Sequence, residues 1–239
     1  FDLFRGNRLV VKMDLKNKEA QACALDLVSK ADVLIEGFRP GVMERMGLGP
    51  DVCHARNPRL IYARMTGWGQ TGPLAHRAGH DLNYIALTGA LHAIGREGAP
   101  PTPPLSLVGD FGGGGLYMAV GVLAALHARQ RTGAGQVIDI AMVDGALSLM
   151  TAFYGGYASG RLNLRRGTNV VDGGAPYYDV YQCADGEYVS LAPIEQRFRR
   201  EMYEKLGLDP REFAGKDTPA DRHTVKPRLA AIFRQKTRA

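Results

Sequence analysis

Ala31-Asp32-Val33-Leu34-Ile35-Glu36-Gly37-Phe38-Arg39-Pro40-Gly41 is the stretch that decides the fold. Residues 31–36 form a short, nearly continuous apolar run, the composition of a strand inside a parallel sheet. Ahead of it, Leu9-Val10-Val11-Lys12-Met13-Asp14-Leu15 reads as another strand. Asn17 follows as a helix cap, and Ala20, Cys23, Ala24, Leu27 and Val28 recur at helical spacing. Strand, helix and strand in this order make a βαβ unit, right-handed by default. The turn 37–41 lies just past the C-terminal end of a strand, where open α/β sheets bind ligands. Arg39 and Arg45 either meet a phosphate there through their forked donors or decorate a solvated turn and a surface helix.

Pro58-Arg59-Leu60-Ile61-Tyr62-Ala63-Arg64-Met65 is a further strand, and Gln136-Val137-Ile138-Asp139-Ile140-Ala141-Met142 another. Between them, Gly67-Trp68-Gly69-Gln70-Thr71-Gly72 matches G-x-G-x-x-G in form. A dinucleotide fingerprint has to open a helix, whereas Pro73, His76, Arg77 and Gly79 continue as loop, so nucleotide binding by these glycines is rejected. The segment reads as a mobile or turn-rich loop bordering a site.

Two stretches carry the chemistry. Gly79-His80-Asp81-Leu82-Asn83-Tyr84 places an imidazole beside polar side chains, with Asp81 and Asn83 available to orient it. Gly109-Asp110-Phe111-Gly112-Gly113-Gly114-Gly115 places a carboxylate at a helix start, before four glycines and a long apolar segment. Asp110 reads as an N-cap. Four glycines cost a helix roughly 1 kcal/mol each relative to Ala, so a cap alone does not call for them. They are read as letting a ligand approach free backbone N–H groups. A His and an Asp on opposite sides of one carbon can remove a proton from one face and return it on the other. No third ligand accompanies His76 and His80, so no metal site is expected.

Residues 83–93 suit one buried helix, and the apolar helix after Asp110 runs to Arg129, stopped by Thr132-Gly133-Ala134-Gly135. Val143-Asp144-Gly145 leads into a helix ending near Gly155, the composition from Gly155 to Gly174 shifts toward Gly, Arg and Asn, and residues 146–175 are read as a linker. Tyr177-Tyr178-Asp179-Val180-Tyr181-Gln182-Cys183 and Glu187-Tyr188-Val189-Ser190-Leu191-Ala192 flank Asp185-Gly186 as a hairpin. Residues 197–206 are helical, and the basic tail from 213 is read as helical too. The expected fold class is α/β: an open, mostly parallel Rossmann-like sheet over residues 1–145 and a smaller α+β domain over 176–239.

At 239 residues the chain buries a substantial core, and 45% hydrophobic with 23% charged residues is ordinary for a globular protein. No eighteen-residue apolar run is seen, so no membrane span is expected. Cys23, Cys53 and Cys183 are scattered and odd in number, which points to a reducing, cytoplasmic setting. The net charge of +6 is dispersed among Arg5, Arg8, Lys12, Lys16, Lys18, Arg39, Arg45, Arg161, Arg165, Arg166 and the tail. That pattern fits a soluble polyphosphate-bearing ligand and not a nucleic acid.

The motifs at 31–42, 60–70, 79–84, 109–114 and 172–178 resemble those of the α-methylacyl-CoA racemases of the family III CoA-transferase superfamily. The resemblance runs from Arg5 to about Phe198. It implies an interlocked homodimer, with a first strand–helix pair lying before Phe1 and a C-terminal segment after Ala239. It implies that His80 and Asp110 are the acid/base pair, with Glu195 reaching the catalytic His from the partner's small domain. CoA contacts then map onto Met13, Asp14, Leu15 and Lys16, onto Gly37, Phe38, Arg39 and Arg45, and onto Gly79, Asp81, Leu82, Asn83 and Tyr84. The implied reaction inverts the α-carbon of 2-methylacyl-CoA thioesters in lipid metabolism with no cofactor, CoA being part of the substrate. A CoA transferase with Asp110 as nucleophile, or a non-catalytic CoA-binding fragment, are the alternatives.

Overall fold

The computed structural model describes residues 6–239, so Arg5 lies outside the described residues. The chain forms two compact units. The first runs to Tyr84 and resumes over Leu107–Ser148; the second comprises Ile85–Ser106 and Leu149–Ala239.

In the first unit, Asn17 caps helix α1 (Lys18–Val28) by accepting the Glu19 N–H. Strand β1 (Val33–Glu36), helices α2 (Val42–Arg45) and α3 (Pro50–Arg56), and strand β2 (Ile61–Thr66) follow. Helix α4 (Asp81–Leu87) closes the N-terminal part. After the second unit's helix α5 (Ala90–Ala93), the chain returns as one helix from Leu107. It opens as a π-helix, Leu107–Leu116, and continues as α6 (Tyr117–Thr132), ended by Gly133 at φ 74. Strand β3 (Gln136–Ala141) and helix α7 (Met142–Leu149) complete it.

The sheet order is β1-β2-β3, all parallel. Central β2 is buried on both faces, as its continuous apolar run requires. Tyr62 packs with Val28, Met43, Leu48, Cys53 and Leu60 in one layer, while its neighbour Ala63 packs with Met118 and Ile140 in another. Successive strand residues point to opposite faces, so β2 serves both layers.

Two expectations are corrected here. Residues 9–15 form no strand, and Leu9 is fully exposed: among the described residues β1 pairs only with β2, leaving this segment no ladder partner. The βαβ units are instead β1–β2, through α2 and α3, and β2–β3. Asp110 is not an N-cap, because the helix starts three residues earlier at Leu107. The helix Leu107–Thr132 is also long and apolar enough by length and composition to cross a membrane, with 22% of its most apolar window buried. Its uncharged glycines lengthen that window without adding apolar side chains, and Met118 and Ala125 of this helix are buried, so the expectation of no membrane span is not overturned.

The second unit contains α5, helix α8 (Thr151–Ala158), strands β4 (Asp179–Gln182) and β5 (Tyr188–Leu191), and helices α9 (Gln196–Lys205), α10 (Pro210–Phe213) and α11 (Arg222–Phe233). The antiparallel hairpin forms as expected, with Gly186 at φ 82 in its turn. Its core is Tyr181, Tyr203, Phe213, Val225 and Leu229. The single helix expected over 83–93 is broken at Gly89, which adopts φ 78. Residues 149–175 belong to this unit and do not form a free linker. Tyr154 donates to the Thr88 carbonyl, and Arg166 donates to the carbonyls of His92 and Ala99.

Candidate functional site

His80 stands exposed at the start of α4. Its carbonyl accepts the N–H groups of Asn83 and Tyr84, and its own N–H is accepted by Asn83 Oδ1 at 3.0 Å. Asn83 therefore caps the helix reciprocally and does not orient the imidazole. Asp81 is buried at 4% exposure. Its Oδ2 accepts the backbone N–H groups of Gly109 (2.7 Å) and Asp110 (2.8 Å). Two helix starts thus converge on one carboxylate, a placement favoured by the positive ends of both. The residue next to His80 in sequence thus holds the backbone of Asp110, 29 positions further along the chain. Asp81 Oδ1 is buried without a hydrogen-bond partner.

Tyr84 backs this arrangement. Its phenol donates to the Gly79 carbonyl, and burial together with the charges of Asp110 and Asp81 raises its pKa. The indole of Trp68 meets the Tyr84 ring edge-to-face, centroids 4.8 Å apart. A Cβ on Gly67 would lie 2.2 Å from the Tyr84 ring, so this glycine is required by a close approach. Of the two readings of the loop the structure favours the turn-rich one: Gly69 N–H donates to Thr66 Oγ1, and Gln70 N–H to Asp139 Oδ2. As the sequence indicated, its glycines open no helix.

Of the glycines after Asp110, Gly113 and Gly114 are tightly packed. A Cβ on Gly113 would lie 2.7 Å from the Ala146 backbone nitrogen, and one on Gly145 would lie 1.9 Å from the Gly113 carbonyl. The π-helix and α7 therefore touch backbone to backbone. Residues 111–115 lie inside the helix, and the N–H groups of Gly109 and Asp110 already have a partner in Asp81. The free donors expected after Asp110 are thus not available there.

The other predicted residues lie at four places in the fold. Met13, Asp14, Leu15 and Lys16 form the turn into α1, with Asp14 Oδ1 accepting the Lys16 N–H at 3.1 Å. Gly37, Phe38 and Arg39 follow β1, and Arg45 ends α2; all four are exposed. Leu82 is exposed on α4. Glu195 lies in the second unit, where it occupies the N-cap position of α9. Two cavities of about 560 and 420 Å³, both within the second unit, are lined by none of the predicted site residues. Sequence reading missed an ion cluster in which buried Glu36 and Arg64 are joined by the part-exposed Glu44. The signal was present as Glu36 ending β1 and Arg64 inside the otherwise uncharged β2.

The whole chain, residues 1–239, matches the family described as CoA-transferase family III. The chain belongs to this family. It is 44% identical to the α-methylacyl-CoA racemases of Mus musculus and Homo sapiens, over 99% of its own length and 62% of theirs. It therefore spans less than two thirds of the length of these relatives. The crystal structure of a CAIB/BAIF family protein from Brucella suis superposes with a TM-score of 0.75 at 29% identity, covering 95% of this chain and 60% of that one. The parallel sheet and its α/β setting are thus the family's fold.

Proposed function

We propose that this chain carries the acid/base centre of a racemase acting on 2-methylacyl-CoA thioesters. The observation that carries the reading is the grip of Asp81, next to His80, on the Asp110 backbone. Its support from outside the chain is the 44% identity to proteins named as such racemases.

A thioester acidifies its α-proton, but the proton is still hard to remove in water. One of the pair, His80 or Asp110, takes it and leaves an enolate. The other returns a proton to the opposite face, and the roles exchange for the other enantiomer. A placed acid or base contributes about 10²–10⁴-fold. Such proton transfer calls for no metal, flavin or pyridoxal.

Gly37, Phe38, Arg39, Arg45, Gly79, Leu82, Asn83 and the 13–16 turn are assigned to the CoA carrier. Glu195 is assigned to the His80 side of a partner protomer's site in an interlocked homodimer, and the setting is cytoplasmic.

The test is deuterium incorporation at C2 of a short 2-methylacyl-CoA in deuterated water. Exchange by the wild type and its loss by at least 10²-fold in His80→Ala are expected. Exchange that survives His80→Ala rejects the pair. The family also includes CoA transferases; trapping of an acyl-Asp110 species by hydroxylamine, with CoA transfer to a free acid, would assign that chemistry instead.

A further inference from the structure

Beneath the turn 37–41, Arg64 of β2 stands opposite Glu36 of β1 in the parallel register. Both are buried, at 6% and 5% exposure. Arg64 Nε donates to Glu36 Oε1 at 2.8 Å, and Glu36 Oε2 accepts the Phe38 N–H at 2.7 Å. The outer edge of the guanidinium donates to both oxygens of Glu44 on α2, at 2.7 and 3.2 Å. The Arg64 hydrogen bond is the chief reason the Glu44 carboxyl titrates below its ordinary range.

Stability alone does not explain this cluster. Two carboxylates surround one cation, and a well-packed apolar trio in such a place is often as stable or more so. What the cluster does hold is backbone. One carboxylate fixes the chain immediately after β1, and the other anchors α2. The segment between them carries Phe38, 47% exposed, and Arg39; α2 carries Arg45. Gly41, at φ 81, lets the chain turn from one anchor to the other. These side chains face solvent, so core packing does not hold them in place. The ion cluster does, and a preformed binding loop has less ordering cost to meet when ligand arrives.

We propose that Glu36, Arg64 and Glu44 are positioning residues that preform residues 37–45 for the phosphorylated nucleotide end of a CoA thioester. They set affinity for the carrier and not the rate at the α-carbon. This rests on the CoA-thioester reading above.

The experiment compares 2-methylacyl-CoA with the same acyl group on N-acetylcysteamine, which lacks the nucleotide. The proteins are the full-length wild type, Glu44→Gln and Arg64→Lys. For the CoA thioester, KM should rise roughly 5- to 20-fold in each variant with kcat within about twofold. Kinetics on the N-acetylcysteamine thioester should match wild type. An unchanged KM for the CoA thioester, or an equal loss on both substrates, overturns the proposal. Glu44 has a side chain 44% exposed, so Glu44→Gln carries the test should Arg64→Lys fail to fold. Calorimetry with CoA alone separates the two claims. If the wild type binds CoA without exchanging the α-proton, and Glu44→Gln binds more weakly, the reaction is wrong and the positioning role stands. Equal binding by both proteins removes the positioning role.

Discussion

The two units use acidic side chains differently. In the first, Asp81 accepts the backbone N–H groups of Gly109 and Asp110, and Glu36 accepts that of Phe38 beside its bond from Arg64. In the second, Asp179 and Glu97 join side chain to side chain across long stretches of chain. Asp179 holds both Arg96 and Lys226, and Glu97 holds Arg222 through two bonds of 2.6 and 2.7 Å. A carboxylate on backbone sets where a loop or helix start lies. A carboxylate between cations ties elements together and leaves their backbone to hairpin and helix geometry. Damage to the first kind should therefore appear in chemistry, and damage to the second in stability.

The sharpest contrast involves glycines. Gly145→Ala in α7 forces a Cβ to within 1.9 Å of a main-chain carbonyl that cannot swing aside. It should destabilise the protein by about 3 kcal/mol or more, read by urea unfolding. Wild-type stability in that variant would show that the π-helix and α7 can separate freely. Asp81→Ala comes next. It leaves two N–H groups without their partner and frees the Asp110 helix from the start of α4. An activity loss of roughly 10²-fold is expected, because misplacement of about 1 Å is enough for that. Asp81→Asn, which keeps one acceptor oxygen, should lose less. Equal, near-normal exchange in both would break the claim that this carboxylate sets the site.

In the second unit, Asp179→Asn should cost about 1–3 kcal/mol, as for a lost hydrogen bond to a charged group, with exchange kinetics unchanged. Its pH dependence has a definite sign. Burial pushes the Asp179 carboxyl up, but bonds from Lys226 and Arg96 outweigh it, so its pKa lies below the ordinary 3.8. Its contribution is fully present above pH 3.8 and is lost as pH falls below that through the folded-state value. The stability gap between wild type and Asp179→Asn should close over that acid range; a gap that persists would show that the loss came from packing. The smallest effect should be a gain. Gly155→Ala in α8 meets no atom within 4 Å, and removing a mid-helix glycine should add about 0.5–1 kcal/mol. A destabilised Gly155→Ala would reveal a close contact at that helix face.

Much of this was legible in the chain itself. Apolar runs located β1, β2 and β3, the Asp185-Gly186 pair located the hairpin, and Gly133 ended α6 where a positive φ is needed. These signals are local, since turn chemistry and side-chain periodicity act within a few residues. The 9–15 segment failed because a strand is defined by a neighbour, and an apolar run does not name one. The glycines after Asp110 misled for the same reason: local sequence showed that something approaches closely, but not that it is the α7 backbone.

Sequence alone therefore determined the α/β character and where β1, β2 and β3 lie, and it nominated the imidazole of His80 and the carboxylate of Asp110. Only the tertiary structure decided that Asp81 binds the backbone of residue 110, that Trp68 and Tyr84 pin a glycine loop, and that Glu36, Arg64 and Glu44 share one ion cluster. A hydrogen bond spanning dozens of residues depends on which elements pack together, and packing is settled by the whole chain at once.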